Sequence, residues 1–155
     1  MTITINPNVS GTADTFTKLA KSSIGTMTNN KVIFRCVGGV AITCLKSYCV
    51  TANDITATTL QYTIIPTIGA STAISGASAT LASAVPGTLV VCIGDAFATA
   101  PVVAPTGVAL NTVARGIVFE EGNLQLTIGV GSTTGTWYHF MRYEPLVDGS
   151  YVVGV

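Results

Sequence analysis

Three consecutive segments decide the fold: Leu124-Gln125-Leu126-Thr127-Ile128-Gly129-Val130, then Gly131-Ser132-Thr133-Thr134-Gly135, then Thr136-Trp137-Tyr138-His139-Phe140-Met141-Arg142-Tyr143. The first alternates apolar and polar residues with period two, as a half-buried strand does. The second is a Gly/Ser/Thr turn. The third is the strand richest in aromatic residues. On a strand, Trp137, His139, Met141 and Tyr143 share one face, and Tyr138, Phe140 and Arg142 share the other.

Working outward, the same grammar recurs. Pro145 closes the aromatic strand, Asp148-Gly149 turns the chain and Tyr151–Val155 makes a last strand. Upstream, Gly116–Phe119 reads as a short strand and Glu120-Glu121-Gly122-Asn123 as a charged turn. Ala96–Leu110 holds Pro101 and Pro105 and reads as a long loop with at most one short strand. Pro86-Gly87 precedes a strand over Thr88–Ile93. Gly76–Ala84 reads as a strand plus loop with little side-chain bulk. Thr58–Ile65 alternates and ends at Pro66, with Thr67–Ile74 as its partner. Val32–Val37, Val40–Leu45 and Ser47–Thr51 read as three separate strands, the first two parted by Gly38-Gly39. That gives about ten short strands with turn signals every 8–12 residues, the spacing of a sandwich or barrel.

The first thirty residues differ. Met1–Asn30 is Thr-rich and weakly periodic, and Ala13–Ser23 reads as one or two helical turns, because Phe16, Leu19 and Ala20 fall at i, i+3 and i+4. The segment is either an edge strand leading into the domain or an arm that clasps a neighbouring subunit. The chain is therefore read as all-β: a single β-sandwich or jelly-roll-like domain over residues 31–155, with an extended N-terminal arm over residues 1–30.

Composition bounds the function. Of 155 residues, 9% are charged and 48% hydrophobic, with seven cationic and seven acidic side chains and 24 Thr. Mean hydropathy is +0.59. The chain is too apolar for intrinsic disorder. It lacks the basic excess that neutralises phosphates, so no nucleic-acid partner is expected. Ile55–Gly94 runs forty residues without a charge. Its prolines, glycines and dense Thr/Ser argue against a spanning helix, which needs about 20 mostly apolar residues. No membrane partner is expected, and Met1–Gly11 lacks the basic and apolar regions of a secretory signal. Low charge at zero net charge favours association.

Reagents for catalysis are few. His139 is the single imidazole, and its strand neighbours predict a packed, hydrogen-bonded core residue. Glu120 and Glu121 are adjacent, so they do not converge as a carboxylate dyad must. Asp54, Asp95 and Asp148 sit in turn-like contexts where Asp bonds its own backbone, with metal binding at Asn53-Asp54 the weaker reading. Gly129–Gly135 lacks the Lys and the helix of a phosphate loop. Cys36, Cys44, Cys49 and Cys92 fit no zinc spacing. They read as reduced small hydrophobes, with a Cys44–Cys49 bridge across a tight turn as the alternative. No catalytic, cofactor-binding or metal residue is assigned, and no enzyme activity is expected.

The block from Gly131 to Val152 resembles the C-terminal signature of small structural proteins of tailed bacteriophages. Its marks are the Thr134-Gly135 turn, the aromatic strand ending in Tyr143-Glu144-Pro145-Leu146, and the Gly149-Ser150-Tyr151-Val152 finish. Val37-Gly38-Gly39-Val40-Ala41-Ile42 and Pro86-Gly87-Thr88 resemble the same pattern upstream. Glu120-Glu121-Gly122 departs from the Pro-Ala-Gly type of turn usual there, and His139 stands where relatives often carry Trp. The resemblance implies a capsid cement or decoration protein, homo-oligomeric and most readily a trimer. Such a protein binds the outer surface of the major capsid protein lattice and stabilises the phage head. The alternative is a tail or head-fibre module that binds a host receptor or glycan through Trp137 or Tyr138. Thr2–Ile5 and the small-residue stretch Ser71–Ala84 are the expected contact segments, since charge is depleted at interface cores. The uncharged stretch Ile55–Gly94 is expected to be covered by core, sister subunits or capsid.

Overall fold

A computed structural model describes residues 18–92, 100–104 and 117–155. The described residues form β1 (Lys18–Ile24), β2 (Lys31–Val37), β3 (Val40–Thr51), β4 (Leu60–Pro66), β5 (Thr72–Ala73), β6 (Leu89–Cys92), β7 (Val102–Ala104), β8 (Ile117–Phe119), β9 (Gly122–Ile128), β10 (Thr136–Pro145) and β11 (Tyr151–Gly154). They make two antiparallel sheets. The first runs β1-β10-β3-β6-β7, with β8 also on β3, and the second runs β11-β2-β9-β4-β5.

The winding is that of a jelly roll. Without β7, β8 and β11, the remaining eight strands counted along the chain run 1-8-3-6 in the first sheet and 2-7-4-5 in the second. Nearly every connection therefore crosses between sheets. The core lies between them, and Trp137, Tyr62, Phe34, Phe119, Met27 and Ile33 are its largest sealed side chains among the described residues.

Three local expectations change. First, Val40–Leu45 and Ser47–Thr51 are one twelve-residue strand. Val40 and Ile42 face inward, then Leu45, Ser47 and Cys49 do, so the parity slips at Thr43-Cys44. The register confirms a bulge there: Arg142 opposes Cys44, but Tyr143 opposes Ile42. A bulge adds one residue and flips the faces beyond it without ending the strand. Cys44 and Cys49 lie on this one strand with no turn between them, and both thiols are free.

Second, Lys18–Ser23 is strand, not helix. β1 pairs with β10 along its full length, from Lys18 opposite Tyr143 to Ile24 opposite Trp137. Ala20, Ser22 and Ile24 face the core, while Leu19 is 66% exposed. Period-two burial along β10 overrides the weak helical spacing. This part of Met1–Asn30 is thus an edge strand of the sandwich, whereas residues 1–17, with Thr2–Ile5, lie outside the described residues. Third, Gly76–Ala84 contains no strand.

Both edges of the second sheet are occupied. On one, β11 comes against β1: the Ser22 hydroxyl donates to the Val155 carbonyl at 2.6 Å, and a Cβ on Gly154 would collide with the Lys21 carbonyl oxygen. Only glycine lets the two backbones meet this closely. On the other side, residues 74–84 run along the outer edge of β4. The Ile74 and Ser78 amides donate to the Tyr62 and Leu60 carbonyls, both within 2.9 Å. The Tyr62 and Leu60 amides donate in turn to Ser75 Oγ and Ser78 Oγ, each at 3.0 Å. Serine hydroxyls here replace the carbonyls of a missing strand. A bare edge is a template for unwanted pairing, and this one is occupied.

Candidate interaction surface

The polar chemistry of the core is sealed. β10 brings His139 inward beside Ser47 of β3, and β4 of the facing sheet brings Tyr62. Ser47 Oγ lies 2.6 Å from His139 Nδ1 and 2.7 Å from the Tyr62 hydroxyl. All three residues are fully buried. Burial drives the imidazole pKa down to about 3, so the ring is neutral. Burial likewise pushes the Tyr62 phenol well above its usual range, partly opposed by the Ser47 hydrogen bond. His139 Nε2 has no hydrogen-bond partner. A Ser–His contact of this length resembles a nucleophile and its base, but no solvent reaches either atom. The cluster ties the two sheets together.

Trp137 is equally sealed. Its indole donates to Asn53 Oδ1 at 3.2 Å, and Asn53 Nδ2 donates to the Leu81 carbonyl at 3.2 Å. Trp137 is thus removed from any ligand platform, and Asn53 is occupied as a structural clamp. Its neighbour Asp54 accepts from the Thr56 amide at 2.9 Å and from the Thr133 amide and hydroxyl at 2.6 and 2.5 Å. These bonds hold its carboxyl well below the usual range. Asp54 so joins the loop after β3 to the Gly131–Gly135 turn. Asp95 lies outside the described residues, and Glu120, Glu121 and Asp148 are exposed. Among the described residues no three His, Cys, Asp or Glu side chains converge on one point, and no helix is long and apolar enough to cross a membrane.

Ser71–Ala84 divides in two. Ile74, Ser75, Ser78, Leu81 and Ala84 are buried against their own sandwich, while Ser71, Thr72, Ala77, Ala79, Thr80 and Ser83 stay exposed. Much of its small-residue character serves the β4 edge.

The two outer faces differ in chemistry. The face of the second sheet is mostly polar and uncharged, with Gln61 and Thr63 of β4 and Asn123, Gln125 and Thr127 of β9, and Thr63 and Thr127 share a 2.9 Å hydrogen bond. Arg35 of β2 adds a cation beside Asn123, flanked by the exposed Val153 of β11. The face of the first sheet is aromatic and cationic. In its central row Lys21, Phe140 and Lys46 lie side by side on β1, β10 and β3. The next row is Ser23, Tyr138 and Tyr48. Lys21 Nζ stands 3.7 Å from the Tyr138 ring centre and 5.9 Å from that of Phe140, and Lys46 Nζ is also 5.9 Å from Phe140. Tyr138 and Phe140 meet edge to face with centres 6.4 Å apart.

The sequence correctly put Tyr138, Phe140 and Arg142 on one face. It did not bring Lys21, Lys46 and Tyr48 to them. That needs the β1-β10-β3 register, and the bulge in β3 hides it from any period count.

No protein-family model, curated protein or solved structure matches this chain.

Proposed function

We propose that this protein is a virion structural protein: it binds the outer surface of the major capsid protein lattice and stabilises the phage head. The observation that carries the proposal is the combination of sealed chemistry and open faces. The single imidazole is buried in the core, while among the described residues a partly exposed aromatic sheet face with three exposed cations lies on a jelly roll. That winding recurs in capsid and lectin domains, an analogy of fold alone. The phage-like block from Gly131 to Val152 supports the same reading. Its Thr134-Gly135 turn, aromatic strand and Asp148-Gly149 turn fold as one unit, with positive φ at Gly135 and Gly149. On this reading the protein acts without catalysis and works as a homo-oligomer, a trimer by preference.

The receptor- or glycan-binding alternative is weakened by the burial of Trp137 and by the Lys21 ammonium over the Tyr138 ring.

The test is reconstitution. Purified protein is mixed with heads that lack it, and the particles are reconstructed at side-chain resolution and heated. Ordered density on the outer lattice and a higher temperature of genome release are expected. Absence of binding, or an unchanged release profile at full occupancy, refutes the proposal.

A further inference from the structure

We infer that the outer face of β1, β10 and β3 is the docking face and that its partner is a protein surface rich in carboxylates. The inference rests on the capsid-binding reading and deepens it. In a chain with only seven cationic residues, Lys21, Lys46 and Arg142 fall on one sheet face. Lys21 and Lys46 are two strands apart, about 10 Å. Arg142 is one residue pair along β10 on the same side. All three are exposed, and among the described residues no carboxylate pairs with them. Glu144, two residues beyond Arg142, ends the basic strip. The other described acids are not on these three strands: Glu120, Glu121 and Asp148 lie in connections, and Asp54 is held in its own hydrogen bonds after β3.

The two ammonium groups rest over Tyr138 and Phe140, so part of their ordering is already done before a partner arrives. The surroundings are apolar: Leu19 beside Arg142, and the partly exposed Tyr48 beside Tyr138. Aromatic and Arg side chains ringed by charge are the composition of a protein interface. A polyphosphate would call for a larger basic excess than this neutral chain has. A protein surface with Asp and Glu between apolar side chains satisfies both halves of the face.

The test uses the full chain and heads that lack it. One variant carries Lys21→Glu, Lys46→Glu and Arg142→Glu, a milder one carries Gln at the same three positions, and a control carries Gln125→Glu and Thr127→Glu on the opposite face. Urea melts select the variants that fold. Wild type and control should bind alike. The folded variant should bind about a hundredfold more weakly, as like charges opposed across an interface do. Capping the carboxylates of the heads with carbodiimide and glycinamide should abolish wild-type binding. Equal binding by the Glu or Gln variant overturns the docking face and leaves the capsid reading intact. Binding that survives capping overturns the carboxylate partner in favour of a glycan or phosphate. A triple variant that turns monomeric while wild type is oligomeric overturns the inference in favour of a self-contact. If wild type itself does not bind, both proposals fall.

Discussion

Burial of His139 makes the stability of this protein fall as the pH drops below neutrality. Folded, the ring is neutral, with a pKa lowered by burial to about 3. Unfolded, it takes a proton near the ordinary value of about 6.5. The unfolded state therefore binds the proton first, and stability falls as the pH drops through about 6.5 and keeps falling until the folded ring titrates as well. The loss is about 2 kcal/mol between pH 7 and pH 5, and about 4 kcal/mol by pH 3. Against a total stability of about 5–15 kcal/mol, that is a large share. Between pH 7 and pH 5 ordinary carboxylates stay ionised and thiols stay protonated. His139 is the only His in the sequence, and replacing it isolates its share of the slope in this window.

The assay is urea unfolding at pH 7, 6 and 5, followed by the fluorescence of Trp137, the single tryptophan. Wild type should lose about 2 kcal/mol across the series. His139→Gln keeps a polar partner for Ser47 and does not titrate. It should start about 1–3 kcal/mol lower at pH 7, as altered buried hydrogen bonds cost, and then stay flat. A flat wild type, or a Gln variant with the wild-type slope, refutes the reasoning. If the variant does not fold, the ring proton shifts of wild type decide instead: they should remain those of neutral imidazole down to pH 5.

Three further outcomes follow from the packing. Gly154→Ala forces β11 away from the Lys21 carbonyl; it should destabilise by about 3 kcal/mol and lower Tm by about 9 °C in a calorimetric scan. Ser75→Ala with Ser78→Ala strands the buried amides of Tyr62 and Leu60. Each should cost about 1–3 kcal/mol in urea melts, and light scattering should show new aggregation through the opened β4 edge. Brief iodoacetamide treatment of native protein, read by peptide mass spectrometry, should modify Cys44 ahead of Cys36, Cys49 and Cys92. Cys44 is half-buried on β3 while the other three are buried, and burial raises Cys36 to about 11, with Glu121 adding to it.

How much of this was legible follows from the range of each interaction. β9 and β10 were readable because alternation is local and uninterrupted there: every second residue of each is buried. The core position of His139 was readable for the same reason. β3 was cut in two because a bulge looks, in one strand, like loss of pattern. Only the partner's register, Arg142 on Cys44 and Tyr143 on Ile42, shows that the strand continues. β1 is not legible locally: Leu19 and Ala20 carry a weak helical spacing, and pairing to β10 decides otherwise. The close approach at Gly154 and the Ser75 and Ser78 contacts join segments far apart in sequence, and no local signal announces them. The aromatic–cationic face belongs to the same class: its residues come from three strands.

The shortage of charge takes on a different meaning once hydrogen bonds are traced. In composition it pointed to surface covered by another molecule. In the fold, part of it is absorbed within the domain. Ser47 joins the two sheets through His139 and Tyr62, Ser22 latches the Val155 carbonyl, Ser75 and Ser78 replace a strand, and Thr133 holds Asp54. Hydroxyls do this well because a neutral group is far less costly to bury than a charge. The uncharged run from Ile55 to Gly94 is, over residues 74–84, in part a lining for the β4 edge: Ile74, Ser75, Ser78, Leu81 and Ala84 are buried there, while Ala77, Ala79, Thr80 and Ser83 face outward. Low charge therefore carries less weight for capsid binding than the sequence alone suggested. The few charges there are carry more: Lys21, Lys46 and Arg142 stand exposed on one sheet face, and the docking partner proposed above would account for their grouping.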